Sequence, residues 1–201
     1  MVLFKKIFLI LKRESKLFYS NIVDLFSNIL FFFLSIFVFV FALGTSEEIL
    51  KTVGVGIIWA LLLFSSTLSI RRFYEDDFNN GILTIIHMGG ISYELIALLK
   101  ILSHFIFIQI PFLFSIPIAS IFFNLPMNEV YIMILTFVIG SLILSCLGSI
   151  SASMNLLNRT NFSISSIIVL LFSIPVIIFS VGAINLDSNF YSLISILFGT
   201  A

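Results

Sequence analysis

The side chains of this 201-residue chain that could do chemistry between its apolar segments crowd into one long polar stretch, residues 71–100. Arg71, Arg72, Glu75, Asp76, Asp77, His87, Glu94 and Lys100 give it charge of both signs and one imidazole. The second imidazole, His104, follows Lys100 by four residues, which places both on one face of a helix. Either histidine could ligate a metal or a haem iron. For His104, set among apolar residues, the competing role is burial in a polar contact between helices. Gln109, further along the same helix, reads as interhelical glue. The single cysteine, Cys146, lies in an apolar segment and excludes both an internal disulfide and a Cys-based metal cage. It reads as a small packing residue.

Several reactions are excluded by absent motifs. The pair Gly-Lys occurs nowhere, so the chain cannot hold nucleotide phosphates in the P-loop manner. There is no His-Glu-x-x-His and no Gly-x-Ser-x-Gly, nor any run of metal-ligand residues. A non-catalytic role is expected.

The elements that position these residues are membrane spans. Hydrophobic residues make up 60% of the chain and charged ones 10%, with a mean hydropathy of +1.24. A soluble domain carries about 25% charged residues. A bilayer core about 30 Å thick needs about 20 helical residues. Five segments meet this, roughly 25–43, 53–70, 95–123, 130–153 and 162–184. A sixth begins near Phe190 and stops at Ala201, so it either inserts partially or lacks a C-terminal piece. The expected fold is an all-α, polytopic bundle forming a single transmembrane domain over 1–201. Pro111, Pro117 and Pro175 should bend the third and fifth spans, since each removes a backbone hydrogen bond. Ser141, Ser145, Ser149 and Ala152 form a small-residue face that lets another helix approach closely.

Orientation follows from the basic residues. The N-terminal segment, the 71–100 stretch and the 154–161 loop hold nine Lys and Arg together, against Lys51 alone on the other side. The positive-inside rule then predicts that those three segments are cytoplasmic, or on the matrix side of a mitochondrial inner membrane. The sequons at Asn158 and Asn161 would face the wrong side for glycosylation. Residues 1–20 read as an amphipathic interfacial helix, with Lys5, Lys6, Lys12, Arg13 and Lys16 on a basic face toward anionic lipid and Phe4, Ile7, Phe8, Leu11, Ser15 and Phe18 opposite, Leu9 being the misfit.

Within the loop at 71–95, Asp76, Asp77 and Asn80 can cap a short helix from about Gly81 to Met88, which Gly89-Gly90 can end. Its apolar residues are Ile82, Leu83, Ile85 and Ile86. Two turns are unstable alone in water, so this helix needs a groove on a partner or on its own chain.

These residues resemble a known pattern. Gly56-Ile57-Ile58-Trp59, Ser65-Ser66, Arg72, Asp76-Asp77, Gly81, Leu83, Lys100 and His104 look like the central signature of the haem exporter protein B (CcmB) family, the permease subunit of the cytochrome c maturation ABC complex. Ile174-Pro175 with Ile177-Ile178-Phe179 matches a weaker second stretch. The resemblance spans the chain, with 54–104 its specific part. Acidic residues, Gly-x-Leu, a short apolar helix, Ser92-x-Glu94 and Lys100 also look like the type-2 ABC exporter pattern. That class implies a bundle of six transmembrane helices, the sixth incomplete here, and a coupling helix near 81–88 that docks on an ATPase. Relatives usually carry Pro just after that helix, where Gly89-Gly90 stand. The resemblance further implies an ABC ATPase (CcmA) as partner, together with CcmC, CcmD and the periplasmic haem chaperone CcmE, and two permease copies beside paired ATPases. Nucleic acid is not among the implied partners. No cofactor would be bound directly. ATP would act through the partner, and haem would be the cargo. The Trp-rich motif of the haem-handling partner is absent, Trp59 being the only Trp.

On this reading Glu75, Asp76 and Asp77 are charged docking residues and Ile82, Leu83, Ile85 and Ile86 apolar ones. Gly81→Pro or Leu83→Asp should then detach the ATPase without unfolding the spans. Gly56, Trp59, Lys100 and His104 are signature positions in the membrane. The localisation implied is the bacterial inner membrane, with the mitochondrial inner membrane as alternative. Competing functions are a type-2 permease for lipid, glycan or drug, a non-transporting membrane scaffold, and a haem-binding redox subunit.

Overall fold

The computed structural model describes residues 2–44, 46–70, 73–158 and 162–185. Arg71, Arg72, Arg159, the sixth span expected from Phe190 and the core of the two sequons lie outside those residues. The described chain is helical throughout. The amphipathic segment is α1 (Val2–Ser20), followed by α2 (Ile22–Leu43) and α3 (Glu47–Ile70). Two short helices, α4 (Glu75–Asn79) and α5 (Ile82–Met88), occupy the loop. Then come α6 (Tyr93–His104), a π-helical turn (Phe105–Gln109), α7 (Ile110–Phe122), α8 (Met127–Asn158) and α9 (Phe162–Asn185). Among the described residues five stretches are long and apolar enough to cross a membrane, matching the five expected spans, α6 and α7 forming one of them.

The third span is not a plain helix. Pro111 carries no N–H, so the carbonyl of Phe107 lacks its usual partner four residues on, and the ring crowds that turn. The chain widens to a π turn over Phe105–Gln109 immediately before it. π turns of this kind recur where a side chain must be turned to a particular face. Here Gln109 is turned into the bundle, where Ser66 Oγ donates to its Oε1 at 3.2 Å.

The core is built where α2, α3, α7 and α8 meet, around Phe32, Ile36, Trp59, Leu62, Phe112 and Phe137. Small residues set the approach distances. A Cβ at Gly140 would stand 2.8 Å from the tip of the Trp59 ring and 3.2 Å from Val176, and Trp59 itself lies 5.7 Å from Phe137, ring centre to ring centre. Gly140→Ala is therefore expected to cost about 1–3 kcal/mol through overpacking, read as a lower unfolding midpoint of the detergent-solubilised protein. An unchanged midpoint would show that α8 can withdraw freely. The serine face of α8 is buried as expected, Ser141, Ser145, Ser149 and Ala152 all turning inward.

Candidate functional site

The loop between α3 and α6 is bolted to the bundle by a four-residue ion cluster. Asp77 on α4 is 3% exposed and Lys100 on α6 is 7% exposed. Lys100 Nζ lies 2.6 Å from Asp77 Oδ2 and 3.5 Å from Glu14 Oε2, and donates to the Phe73 carbonyl at 3.1 Å. The Arg13 guanidinium grips Asp77 through both oxygens and donates to Glu14 at 3.0 Å. The hydrogen bond to Asp77 raises the Arg13 pKa above its ordinary value, against burial that would lower it. Two cations thus face two carboxylates, and no charge in the cluster is left uncompensated.

This arrangement corrects the sequence reading of α1. Its basic residues do not share one lipid-facing side. Lys6 and Arg13 turn inward to the loop, where Lys6 Nζ donates to the Gly89 carbonyl at 2.7 Å. Lys5, Lys12 and Lys16 remain outward, together with Phe4, Phe8 and Leu9. Asp77 is corrected too. It caps no helix and does not face out with Glu75 and Asp76. Asp76 and Asp77 are adjacent, and a rotation of about 100° between them sends one to the surface and the other inside.

The short helix forms where expected, but its cap is the backbone of Gly81, whose φ of 68° is the left-handed conformation glycine favours. No side chain caps it. The two apolar flanks of α5 divide. Leu83 and Ile86 pack inward on a cluster of Ile10, Ile91, Ile96 and Leu99. Ile85 and Met88 point away, 65% and 83% exposed, beside the exposed Thr84. Ile82 is half-buried. The loop is thus seated in a groove of its own chain and still presents a second apolar face.

His104 sits beneath the ion cluster. Its Nε2 lies 2.9 Å from Ser69 Oγ and its Nδ1 3.0 Å from Ser145 Oγ, so one ring ties α3, α6 and α8 together. Both ring nitrogens are engaged within the bundle, as the polar-contact alternative requires. Tyr74 adds a further tie, 2.7 Å from Ser149 Oγ. His87 stacks on Tyr93 at 4.1 Å, its Nδ1 3.0 Å from the Ile91 carbonyl. Gly56 is half-buried with open space where a Cβ would point, whereas Gly54, not singled out from sequence, abuts Phe123. Among the described residues no group of three or more His, Cys, Asp or Glu could hold a metal.

Sequence reasoning missed Arg13 as a partner of Asp77 and Glu14 as a partner of Lys100, and missed Ser69 beside His104. A carboxylate on the inward side of a basic helix, as Glu14 is, was the available signal.

The pattern of the family described as "CcmB protein" matches residues 5–199. Similar curated proteins include several described as "Heme exporter protein B". The one from Haemophilus influenzae is 30% identical over 171 residues, covering 85% of this chain and 77% of the relative. That from Pseudomonas aeruginosa is 26% identical over 177 residues, covering 88% and 79%. That from Bradyrhizobium diazoefficiens is 30% identical over 156 residues, covering 78% and 70%. With five helices among the described residues long and apolar enough to cross a membrane, a charged loop bolted to the bundle and a family pattern matched over nearly its whole length, this chain belongs to the CcmB protein family.

Proposed function

We propose that this chain is the permease subunit of an ABC complex in cytochrome c maturation, acting in haem export in the bacterial inner membrane. ATP hydrolysis by a partner ATPase of the CcmA type would drive either haem export or release of the haem-loaded chaperone. CcmC and CcmD complete the expected complex, with two permease chains beside two ATPases. The N-terminus and the loop face the cytoplasm, consistent with the distribution of Lys and Arg.

The observation that carries this reading is the divided surface of α5. A helix of seven residues, held from behind by Leu83 and Ile86, offers Ile85 and Met88 outward at the tip of the bundle. Exposed apolar side chains, with the exposed carboxylates of Glu75 and Asp76 on the preceding short helix, fit the groove of a soluble partner. Pressure on α5 would pass through α4 and the Asp77–Lys100 contact into α6, and from α6 through His104 to α3 and α8. Co-expression with the candidate ATPase, followed by gentle solubilisation and purification through this chain, tests the reading. The ATPase should be recovered in stoichiometric amount. Its absence from every preparation would overturn the assignment.

A further inference from the structure

A cavity of about 420 Å³ opens beside the ion cluster, bounded by α1, the first turns of α2, the end of α3, the loop and α6. That volume lies within the range of small-molecule sites, about 300–1,000 Å³. Its loop end is lined by Arg13, Glu14, Asp77 and Lys100, and its deeper wall includes Phe18 and Phe107, stacked with ring centres 5.0 Å apart. Two further polar side chains line it. Ser103 on α6 is 5% exposed, and its Oγ has no hydrogen-bond partner. Asn28 on α2 is 8% exposed, and its amide makes no hydrogen bond among the described residues. A buried polar group left alone is costly, so Ser103 Oγ, on the same cavity wall as the unbonded amide of Asn28, marks a place where a ligand completes the bonding.

We infer that this cavity binds the head of a zwitterionic phospholipid, of the phosphatidylethanolamine type. The depth fits. Asn28 lies six residues inside α2, roughly 9 Å along its axis, where ester and phosphate oxygens give way to acyl chains. The amide of Asn28, the hydroxyl of Ser103 and the N–H groups of Arg13 not used on Asp77 or Glu14 are donors for those acceptor oxygens. The charge balance selects the head. Arg13 and Lys100 are already compensated by Glu14 and Asp77, and Asp24 and Asp76 also line the cavity, so a net-anionic lipid would add to an excess of carboxylates, whereas the ammonium of a zwitterion offsets it. The Phe18–Phe107 wall and the exposed Leu68 beyond it then receive the chains. This site is separate from the outward face of α5 and does not depend on the permease assignment.

The test is native mass spectrometry of the full chain, released from nanodiscs of phosphatidylethanolamine and phosphatidylglycerol in equal parts. Phosphatidylethanolamine should remain bound, in preference to phosphatidylglycerol. Asn28→Leu combined with Ser103→Ala should lower that retention by about tenfold or more, the loss of two hydrogen bonds. Asn28→Asp, which keeps size and polarity, should lower it as well by repelling the phosphate. Helicity and ATPase recovery should be unchanged in Asn28→Asp, separating this inference from the docking role of α5. Equal retention by the Asn28→Asp variant, equal retention of the two lipids, or no lipid adduct would each overturn it.

Discussion

Replacing Asp77 by Ala should destabilise the subunit by about 3–5 kcal/mol, the usual cost of removing one partner from a buried ion pair. Lys100 and Arg13 would then share Glu14 alone, with Lys100 buried among Phe73, Tyr74 and the α6 backbone. The counterpart is more informative. Lys100→Met together with Asp77→Leu removes a cation and an anion at once, leaving Arg13 paired with Glu14. The double variant should therefore be more stable than Asp77→Ala, because no buried charge is left uncompensated. Thermal unfolding midpoints in one detergent would read both effects. If Asp77→Ala melts with the unmodified protein, Asp77 is solvated and the loop is not bolted to α6 in the way described.

Ile85→Asp should weaken ATPase association by at least about 30-fold, the effect of losing a hot-spot residue worth 2 kcal/mol, with little change in the subunit's own stability. Ile85 is mostly exposed, so a carboxylate there meets water until a partner covers it. Leu83→Asp is a different experiment. Leu83 packs from α5 against the Ile10, Ile96 and Leu99 cluster, and a carboxylate in that position lacks a partner. That substitution should loosen the loop itself and reduce protein yield as well as ATPase recovery. The sequence-based expectation that Leu83→Asp would detach the ATPase and leave the spans intact is revised accordingly. Purification with quantified ATPase recovery distinguishes the two. Ile85→Asp should be well folded and ATPase-poor, whereas Leu83→Asp should be poorly folded.

The spans were legible because a hydrocarbon layer imposes length and composition on each helix separately. Five apolar runs could be counted without knowing how they pack. The helix at 82–88 was legible for a similar reason, since Gly81 and the Gly89-Gly90 pair punctuate it locally. What stayed hidden depended on partners distant in sequence. Arg13 meets Asp77 across 64 positions, so charge alone put Arg13 on a lipid-facing stripe when it belongs to the loop. Asp76 and Asp77 look equivalent until the rotation of α4 is fixed. Leu83 and Ile85 likewise look equivalent until the groove that receives one of them is known. The π turn before Pro111 was hidden differently, because a proline predicts a disturbance without specifying its form.

A photoreactive amino acid placed singly at 83, 85, 86 and 88, in the chain co-expressed with the candidate ATPase, tests the divided α5 surface most directly. Cross-links to the ATPase should form from 85 and 88, with 83 and 86 capturing only α1 or α6 of the same chain. Cross-links to the ATPase from 83 and 86 but not from 85 and 88, or from none of the four, would contradict the account.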